Sequence, residues 1–125
     1  MQTQTRRTRQ KDAIRVAFQS TGRPLSVDEA TELAQQQVEG LSVATVYRNI
    51  KLLLAEGWLV AVEVPGQLPR YEVSGKEHHH HFQCMVCQRT YELNGCVVER
   101  KPKLPKGFRA SGHEFFVYGT CATCL

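Results

Sequence analysis

The spacing of apolar residues changes about half-way along this chain, from a helical period to a strand period. In residues 8–20, the apolar side chains of Ile14, Ala17 and Phe18 fall on one face of a helix, and Thr21–Gly22 ends the run. This pattern predicts an amphipathic helix whose apolar face packs inward.

A second helix is predicted from the residues that would begin it. Ser26 and Glu29 have the spacing of a capping box. In this motif the serine hydroxyl accepts a hydrogen bond from the backbone N–H of the glutamate, and the glutamate carboxylate accepts one from the backbone N–H of the serine. The helix is expected to run to about Gln37, with Ala30, Leu33 and Ala34 facing inward, and Gly40 interrupts the chain after it. The sequence therefore predicts two consecutive short helices.

The third predicted helix follows Ser42 and stops at Gly57. Its apolar residues have the helical spacing i, i+3, i+4 and i+7, so this face is expected to be buried; they are Val43, Val46, Tyr47, Ile50, Leu53 and Leu54. The opposite face carries groups that contact phosphates and base edges when a helix enters a major groove, although an ordinary polar surface has the same composition. These residues are Ala44, Thr45, Arg48, Asn49 and Lys51.

A hairpin is predicted after the three helices. Residues Trp58–Val64 are mostly apolar, residues 65–69 form a turn rich in proline and glycine, and residues Arg70–Val73 return. Three short helices followed by a hairpin are the plan of a winged helix-turn-helix, in which the third helix reads DNA and the hairpin lies along the backbone.

The second half of the chain has the pattern of a small sheet. Strands are predicted at His81–Val86, Arg89–Leu93 and Glu114–Gly119, and the two prolines in Glu99–Gly107 limit that segment to about one helical turn and a loop. The predicted fold is therefore α+β. It comprises a winged-helix domain at residues 1–73, a hinge at 74–77 and a small α/β dimerisation and metal-binding domain at 78–125.

Cysteine spacing adds metal chemistry to this second domain. Four of the five cysteines form two Cys-x-x-Cys pairs, Cys84/Cys87 and Cys121/Cys124, which favours a structural zinc ion held by four thiolates. A thiol redox protein is the alternative for such a motif. The remaining Cys96 is expected to be a packed or half-buried thiol rather than a fifth ligand. Because so small a sheet buries little area, zinc is expected to supply the stability that the core lacks.

Charge and hydropathy indicate whether the chain is a nucleic-acid-binding, membrane-spanning or secreted protein. The net charge of +4 permits nucleic-acid binding without requiring it. Basic residues concentrate near the N-terminus. They are expected either to contact phosphates or to form an ordinary solvated end of the first helix. These residues are Arg6, Arg7, Arg9, Lys11 and Arg15. There is no apolar run of about 18 residues that would span a membrane. No apolar stretch follows the basic start, so a cytoplasmic protein is expected.

The order of these motifs resembles the ferric uptake regulator superfamily over nearly the whole chain. The matching pieces are ATVYRN (44–49), RYE (70–72), HHHHFQCMVC (78–87), YEL (91–93) and HEFFVYGTCATC (113–124). The resemblance implies a homodimeric, metal-responsive transcription factor, in most members a repressor that binds operator DNA when a regulatory metal is bound. It implies neither a membrane partner nor a small organic substrate.

The resemblance also implies three metal sites. The structural zinc ligands would be Cys84, Cys87, Cys121 and Cys124. The regulatory site near the hinge would use Glu72, His79, His81 and Glu92. The additional site would use His78, His80, Glu99 and His113. Strand alternation agrees, because it separates the four consecutive histidines into two interleaved pairs on opposite faces, rather than a solvated tract.

One departure from the family pattern bears on the metal. Many members supply a histidine to the regulatory metal from just before the second helix, where this chain has Pro24. The missing histidine weakens the alternative of a peroxide sensor. Imidazole-rich ligands suit Zn²⁺ or Fe²⁺ as the regulatory ion, with a slight preference for zinc and with Mn²⁺ and Ni²⁺ as further alternatives.

The expected mechanism is a metal-controlled hinge. Metal binding would fix the two reading helices of a dimer at one half-site spacing, with Tyr47 and Arg48 as contacts from the third helix. Arg6, Arg7, Arg9 and Lys11 would hold phosphates. A zinc hydrolase is the competing enzyme hypothesis, and the sequence shows no catalytic constellation to support it.

Overall fold

The computed structural model describes residues 5–96 and 103–125. Its contacts divide the chain into two compact units, Met1–Gly75 and Lys76–Leu125, with the boundary inside the predicted hinge segment 74–77. Within the described residues, every helix is too short or too polar to cross a lipid bilayer.

The first unit begins with three helices, α1 (Arg6–Thr21), α2 (Val27–Gln35) and α3 (Val43–Ala55). Each follows a hydroxyl side chain that accepts a hydrogen bond from a backbone N–H three residues later; the three capping residues are Thr5, Ser26 and Ser42. The capping box predicted for α2 is present in full. The cap residues explain why the helices begin where they do.

The core of the first unit joins the three helices to the hairpin behind them. Ile14 and Phe18 of α1, Ala30 of α2 and Ile50 of α3 are buried together, as the helical periodicity predicted. The expected burial of Val43 and Tyr47 is wrong, since their side chains are 48% and 43% exposed. Both belong to the outer side of α3, which is therefore more apolar than the sequence pattern indicated.

A two-stranded antiparallel hairpin completes the first unit, with β1 at Leu59–Val62 and β2 at Arg70–Val73. Leu25, just before α2, exchanges backbone hydrogen bonds with Tyr71 at 2.8 and 2.9 Å, which ties the hairpin to the helices. The prediction of three helices followed by a wing-like hairpin is confirmed.

The second unit is a three-stranded sheet of β3 (His79–Cys84), β4 (Thr90–Asn94) and β5 (Phe116–Gly119), followed by a short 3-10 helix at Ala122–Cys124. The central strand is β3, which pairs antiparallel with β4 and parallel with β5. The α+β class is confirmed, although β3 begins earlier than the predicted His81. The predicted helical turn falls partly on residues 97–102, outside the described residues, and residues 103–107 contain a turn but no helix.

A buried ion-pair network links the start of α2 to the hairpin. The Glu29 carboxylate caps its own helix at the Ser26 backbone, accepts a hydrogen bond from Arg23 at 2.8 Å and pairs with Arg70. Burial raises the pKa of Glu29, but the Ser26 hydrogen bond and the two guanidinium groups outweigh it, so the pKa lies below the usual 4.5.

We expect Glu29→Gln to destabilise the first unit by about 1–3 kcal/mol at neutral pH, because it removes the carboxylate that pairs with the buried Arg70. Since folding lowers the pKa of Glu29, its stabilising effect is present above pH 4.5 and is lost as the pH falls below that value. The variant should therefore lose less stability on acidification than the unmodified protein. Urea unfolding followed by the single tryptophan, Trp58, measures both effects.

The matched control is Glu32→Gln, at an exposed position of the same helix. It should change the free energy of unfolding by less than about 0.5 kcal/mol. If the free energy of unfolding of Glu29→Gln fell with acid as much as that of the unmodified protein, the stabilising role of the Glu29 carboxylate would be contradicted.

Candidate metal centres and nucleic-acid interface

The parallel pairing of β3 and β5 brings the two Cys-x-x-Cys motifs together. Cys84 ends β3 and stands opposite Gly119, which ends β5 two residues before Cys121. Both motifs therefore follow the carboxyl ends of adjacent parallel strands. A Cβ atom at Gly119 would lie 3.1 Å from the Phe82 ring, so a larger residue there would require that ring to shift by a few tenths of an ångström.

The four thiols of this cluster have the spacing of a tetrahedral zinc site. All four sulfur atoms, those of Cys84, Cys87, Cys121 and Cys124, lie within 4.8 Å of one another. The Cys87 and Cys121 sulfurs are 3.8 Å apart. A tetrahedral S4 shell with zinc–sulfur bonds of about 2.3 Å has sulfur–sulfur separations of about 3.8 Å, so the donor set fits zinc.

Backbone N–H groups stabilise the thiolate form of Cys84 in this cluster. The N–H groups of Cys87 and Cys121 donate to the Cys84 sulfur at 3.5 and 3.4 Å. These hydrogen bonds lower the pKa of Cys84 to about 6, whereas the hydrogen bond with Cys121 and burial raise the pKa of Cys124 to about 12. Cys84 is therefore already a thiolate near neutral pH, the form that binds metal.

Two side chains that sequence reasoning missed support the thiols. Gln83 is fully buried, accepts a hydrogen bond from the Thr90 hydroxyl and donates to the Gln88 carbonyl at 3.1 Å, which fixes the turn between the first two cysteines. Tyr91 hydrogen-bonds to Cys121 and lowers its pKa. The sequence around Tyr91 gave no signal for this role, because Tyr91 and Cys121 are brought together only when β4 and β5 pair with opposite edges of β3.

Strand alternation places His79 and His81 on one face of β3, with ring centroids 4.8 Å apart. Glu92 of β4 stands directly opposite His81, and its carboxylate lies 3.6 Å from His79 Nε2. His79 Nδ1 lies 2.7 Å from the Glu77 carbonyl, which can only accept, so Nδ1 carries the proton and Nε2 presents its lone pair. The structure thus brings together three of the four residues predicted for the regulatory site. Glu72 lies in β2 of the first unit, and its membership stays a prediction.

The opposite face of the strand gathers the other two consecutive histidines. The Nε2 atoms of His78, His80 and His113 lie between 3.0 and 3.3 Å from one another. Burial, together with the neighbouring imidazoles, lowers the pKa of His80, so its ring is neutral as a metal ligand must be. Glu99, the fourth predicted member of this additional site, lies outside the described residues.

The expectation that Cys96 is a packed thiol is wrong. Its side chain is exposed, and its sulfur lies 3.3 Å from His80 Nε2 and 3.5 Å from His113 Nε2. Cys96 therefore belongs to the histidine cluster. Its position beyond the end of β4 could not be derived from cysteine spacing, because it has no partner cysteine nearby in the chain.

The outer face of α3 carries the residues predicted to contact DNA. Ala44, Tyr47 and Arg48 are exposed, and Thr45 and Asn49 are half-buried. The Arg48 guanidinium donates to the Thr45 hydroxyl at 3.2 Å, which holds it along the helix. Among the described residues, a concavity of about 620 Å³ lies between α1 and α3.

The basic residues of α1 divide between two concavities. Arg7 and Lys11 line the one shared with α3, whereas Arg6 and Arg9 line a second one of about 310 Å³ beside residues 37–41. Lys11 pairs with Glu56 at 2.7 Å and would have to leave that ion pair to reach a phosphate. The arginines are consequently the better placed of the predicted phosphate contacts.

Comparison with known proteins identifies the family. The model of the ferric uptake regulator family matches residues 2–118. The chain belongs to the ferric uptake regulator family. A ferric uptake regulation protein from Campylobacter upsaliensis is 32% identical over 87 residues, which are 67% of this chain and 56% of that protein. The matched part of this chain thus spans just over half of that relative's length.

Relatives from Helicobacter pylori match over a longer range. A ferric uptake regulation protein from this organism is 27% identical over 120 residues, covering 94% of this chain and 80% of that protein. A solved structure of the Helicobacter pylori regulator, described as having three functional metal binding sites, is 25% identical with a TM-score of 0.67. It covers 92% of this chain and 79% of that one. Members of the family are transcriptional regulators of metal homeostasis and not enzymes.

We expect Cys121→Ser to remove about one zinc ion per chain and to abolish cooperative unfolding of the second unit. Among the described residues of that unit, Cys84 and Cys121 are the only apolar side chains in the buried core. Structural zinc contributes about 10–16 kcal/mol in small domains, far more than so small a core could replace. Zinc analysis combined with thermal unfolding tests this.

Thr123→Ser is the control for that experiment, since Thr123 is exposed, lies between Cys121 and Cys124 and supplies none of the four thiols. It should keep this zinc ion and the unfolding transition. Unchanged zinc content in Cys121→Ser would exclude the four-thiol site.

Proposed function

We propose that the chain is a metal-dependent, DNA-binding transcriptional repressor of genes for zinc or iron uptake, acting in the cytoplasm as a homodimer. The observation that carries the proposal is the convergence of His79, His81 and Glu92 in a chain that also has an exposed helix with DNA-contacting groups. The three donor side chains would bind the regulatory metal, and α3 would contact the DNA bases.

The regulatory site is proposed at the face of β3 that carries His79 and His81. Their imidazoles and the Glu92 carboxylate provide nitrogen and oxygen ligands, and Glu72 is the predicted fourth ligand from the first unit. A divalent cation bound there would supply the positive charge that holds these groups together. The donor set suits Zn²⁺ or Fe²⁺, and Mn²⁺ or Ni²⁺ as alternatives.

Lys76 supports a link between this site and the hinge. Its ammonium group lies 3.4 Å from the Glu92 carboxylate, inside the predicted hinge segment. A metal ligand role for Glu92 competes with that ion pair, so metal binding and the position of Lys76 are coupled. A tenfold change in DNA affinity needs only about 1.4 kcal/mol of difference in metal binding between the two hinge states.

Apolar exposure supports dimerisation through the second unit. Phe108 is 69% exposed, Tyr118 is 50% exposed and Val86 is 63% exposed, in a unit whose described residues bury few apolar side chains. Burial of such surface against a second copy would stabilise the sheet. Members of this family are dimeric DNA-binding regulators.

We expect Arg48→Ala to weaken binding to the preferred duplex by about ten- to a hundredfold, because it removes a guanidinium from the exposed face of α3. The probe is the duplex enriched from a random-sequence pool in the presence of Zn²⁺, measured by fluorescence anisotropy. Arg109→Ala removes an exposed arginine from the second unit and should leave the affinity within about twofold. Equal losses in the two variants would refute the proposed role of α3.

We also expect His81→Ala and Glu92→Gln to abolish most of the metal-dependent gain in DNA affinity, because each removes a donor from the proposed regulatory site. Anisotropy titrations against buffered Zn²⁺, Fe²⁺, Mn²⁺ and Ni²⁺ measure the gain and identify the ion. Glu114→Gln, an exposed carboxylate outside the cluster, is the matched control and should respond like the unmodified protein. A full metal response in Glu92→Gln would refute this site.

A further inference from the structure

We propose that Cys96 is a metal ligand, and that its thiolate completes a tetrahedral site with His78, His80 and His113 that takes a borderline-soft divalent cation such as Zn²⁺. This differs from the site that family resemblance implies, in which Glu99 is the fourth ligand. It deepens the proposed function, because it assigns the ligands and the metal class of the second histidine face.

The distances between the donor atoms match one small metal ion. Zinc bound to nitrogen at about 2.0–2.1 Å and to sulfur at about 2.3 Å in a tetrahedron separates two nitrogens by about 3.3 Å and nitrogen from sulfur by about 3.6 Å. The three nitrogen–nitrogen distances here are 3.0, 3.1 and 3.3 Å, and the Cys96 sulfur lies 3.3 and 3.5 Å from two of the nitrogens. All four donor atoms lie within 4.8 Å of one another.

Hydrogen bonding among these side chains does not account for the cluster. A hydrogen bond joins one donor to one acceptor, whereas here the Nε2 atoms of three imidazoles and one sulfur face a common point. His80 is 3% exposed, so water cannot readily reach its Nε2 atom, whereas the other three residues are exposed. Four lone-pair donors that converge in this way are the arrangement that a cation stabilises.

The fold explains how the cysteine reaches the site. His79 pairs with Asn94 at the end of β4, and Gly95 then turns the chain with a φ of 80°. Cys96 follows immediately and so lies beside the amino end of β3, where His78 is. A positive φ favours glycine, which makes Gly95 the residue that permits this reversal.

The thiolate decides which metals the site prefers. Soft thiolate and borderline imidazole ligands favour zinc over Mn²⁺, whereas a carboxylate in the same place would favour the harder ions. The site is therefore expected to hold zinc or its spectroscopic substitute Co²⁺ more tightly than Mn²⁺.

Cobalt spectroscopy tests the ligand directly. Protein that keeps zinc on its four-thiol cluster is titrated with Co²⁺, and zinc content is checked so that exchange is excluded. A near-ultraviolet thiolate-to-cobalt charge-transfer band should appear. Bound cobalt should also slow the alkylation of Cys96 by iodoacetamide by at least about tenfold. The rate is measured from the mass of the peptide that contains Cys96. Cys96→Ser should lose the band while keeping the visible bands of nitrogen-bound cobalt, and Glu99→Gln should keep both.

The opposite result would overturn the proposal. Bound cobalt with no charge-transfer band and with unprotected Cys96 would exclude the thiolate, as would a loss of cobalt affinity in Glu99→Gln but not in Cys96→Ser. His113→Ala should remove the protection of Cys96, and persistent protection would also contradict the site. None of these measurements involves DNA, so a failure of the proposed repressor function is distinguishable from a failure of this ligand assignment.

Discussion

The parallel pairing of β3 with β5 is the constraint on which the metal chemistry of the second unit depends. The register sets His81 opposite Phe116 and Cys84 opposite Gly119. One pairing therefore places His113 beside the first histidines at one end of β3, and the second Cys-x-x-Cys beside the first at the other end. Along β3, His80 of one cluster and Cys84 of the other are four residues apart, which is about 13 Å. A slip of one residue in this register would disturb both donor sets together.

The two units differ in the interactions that stabilise them. The first has a continuous apolar core around Ile14, Phe18 and Ile50, reinforced by the Glu29 network. The described part of the second buries mainly polar or metal-binding side chains, among them His80, Gln83 and Thr90. Ligands that converge without an apolar core repel one another or lose hydration unless a cation joins them. We therefore expect metal binding to contribute directly to the folding free energy of this unit.

The sequence predicted features that depend on local spacing. Helical periodicity located α1 to α3, the capping box at Ser26 located the start of α2, and cysteine spacing indicated the four-thiol cluster. Features that depend on which strands pair were not predictable. Nothing in the local pattern shows that β5 runs parallel to β3, that Tyr91 reaches Cys121, or that Cys96 lies among the histidines. Val43 and Tyr47 follow the apolar period of α3, yet three short helices do not cover the start of that helix.

Strand alternation gives the two faces of a single strand different sets of donor atoms. On one face of β3, His81 stands opposite Glu92, a hard oxygen donor, and on the other His80 approaches the Cys96 sulfur, a soft donor. Carboxylate oxygens suit harder ions such as Mn²⁺, whereas thiolate favours softer ions such as zinc. The face with the carboxylate is also the one whose ligand pairs with Lys76 in the hinge segment. On the proposal that the carboxylate face is the regulatory site, the ligand paired with the predicted hinge segment is the hard donor, whereas the softer face is expected to hold the sheet together.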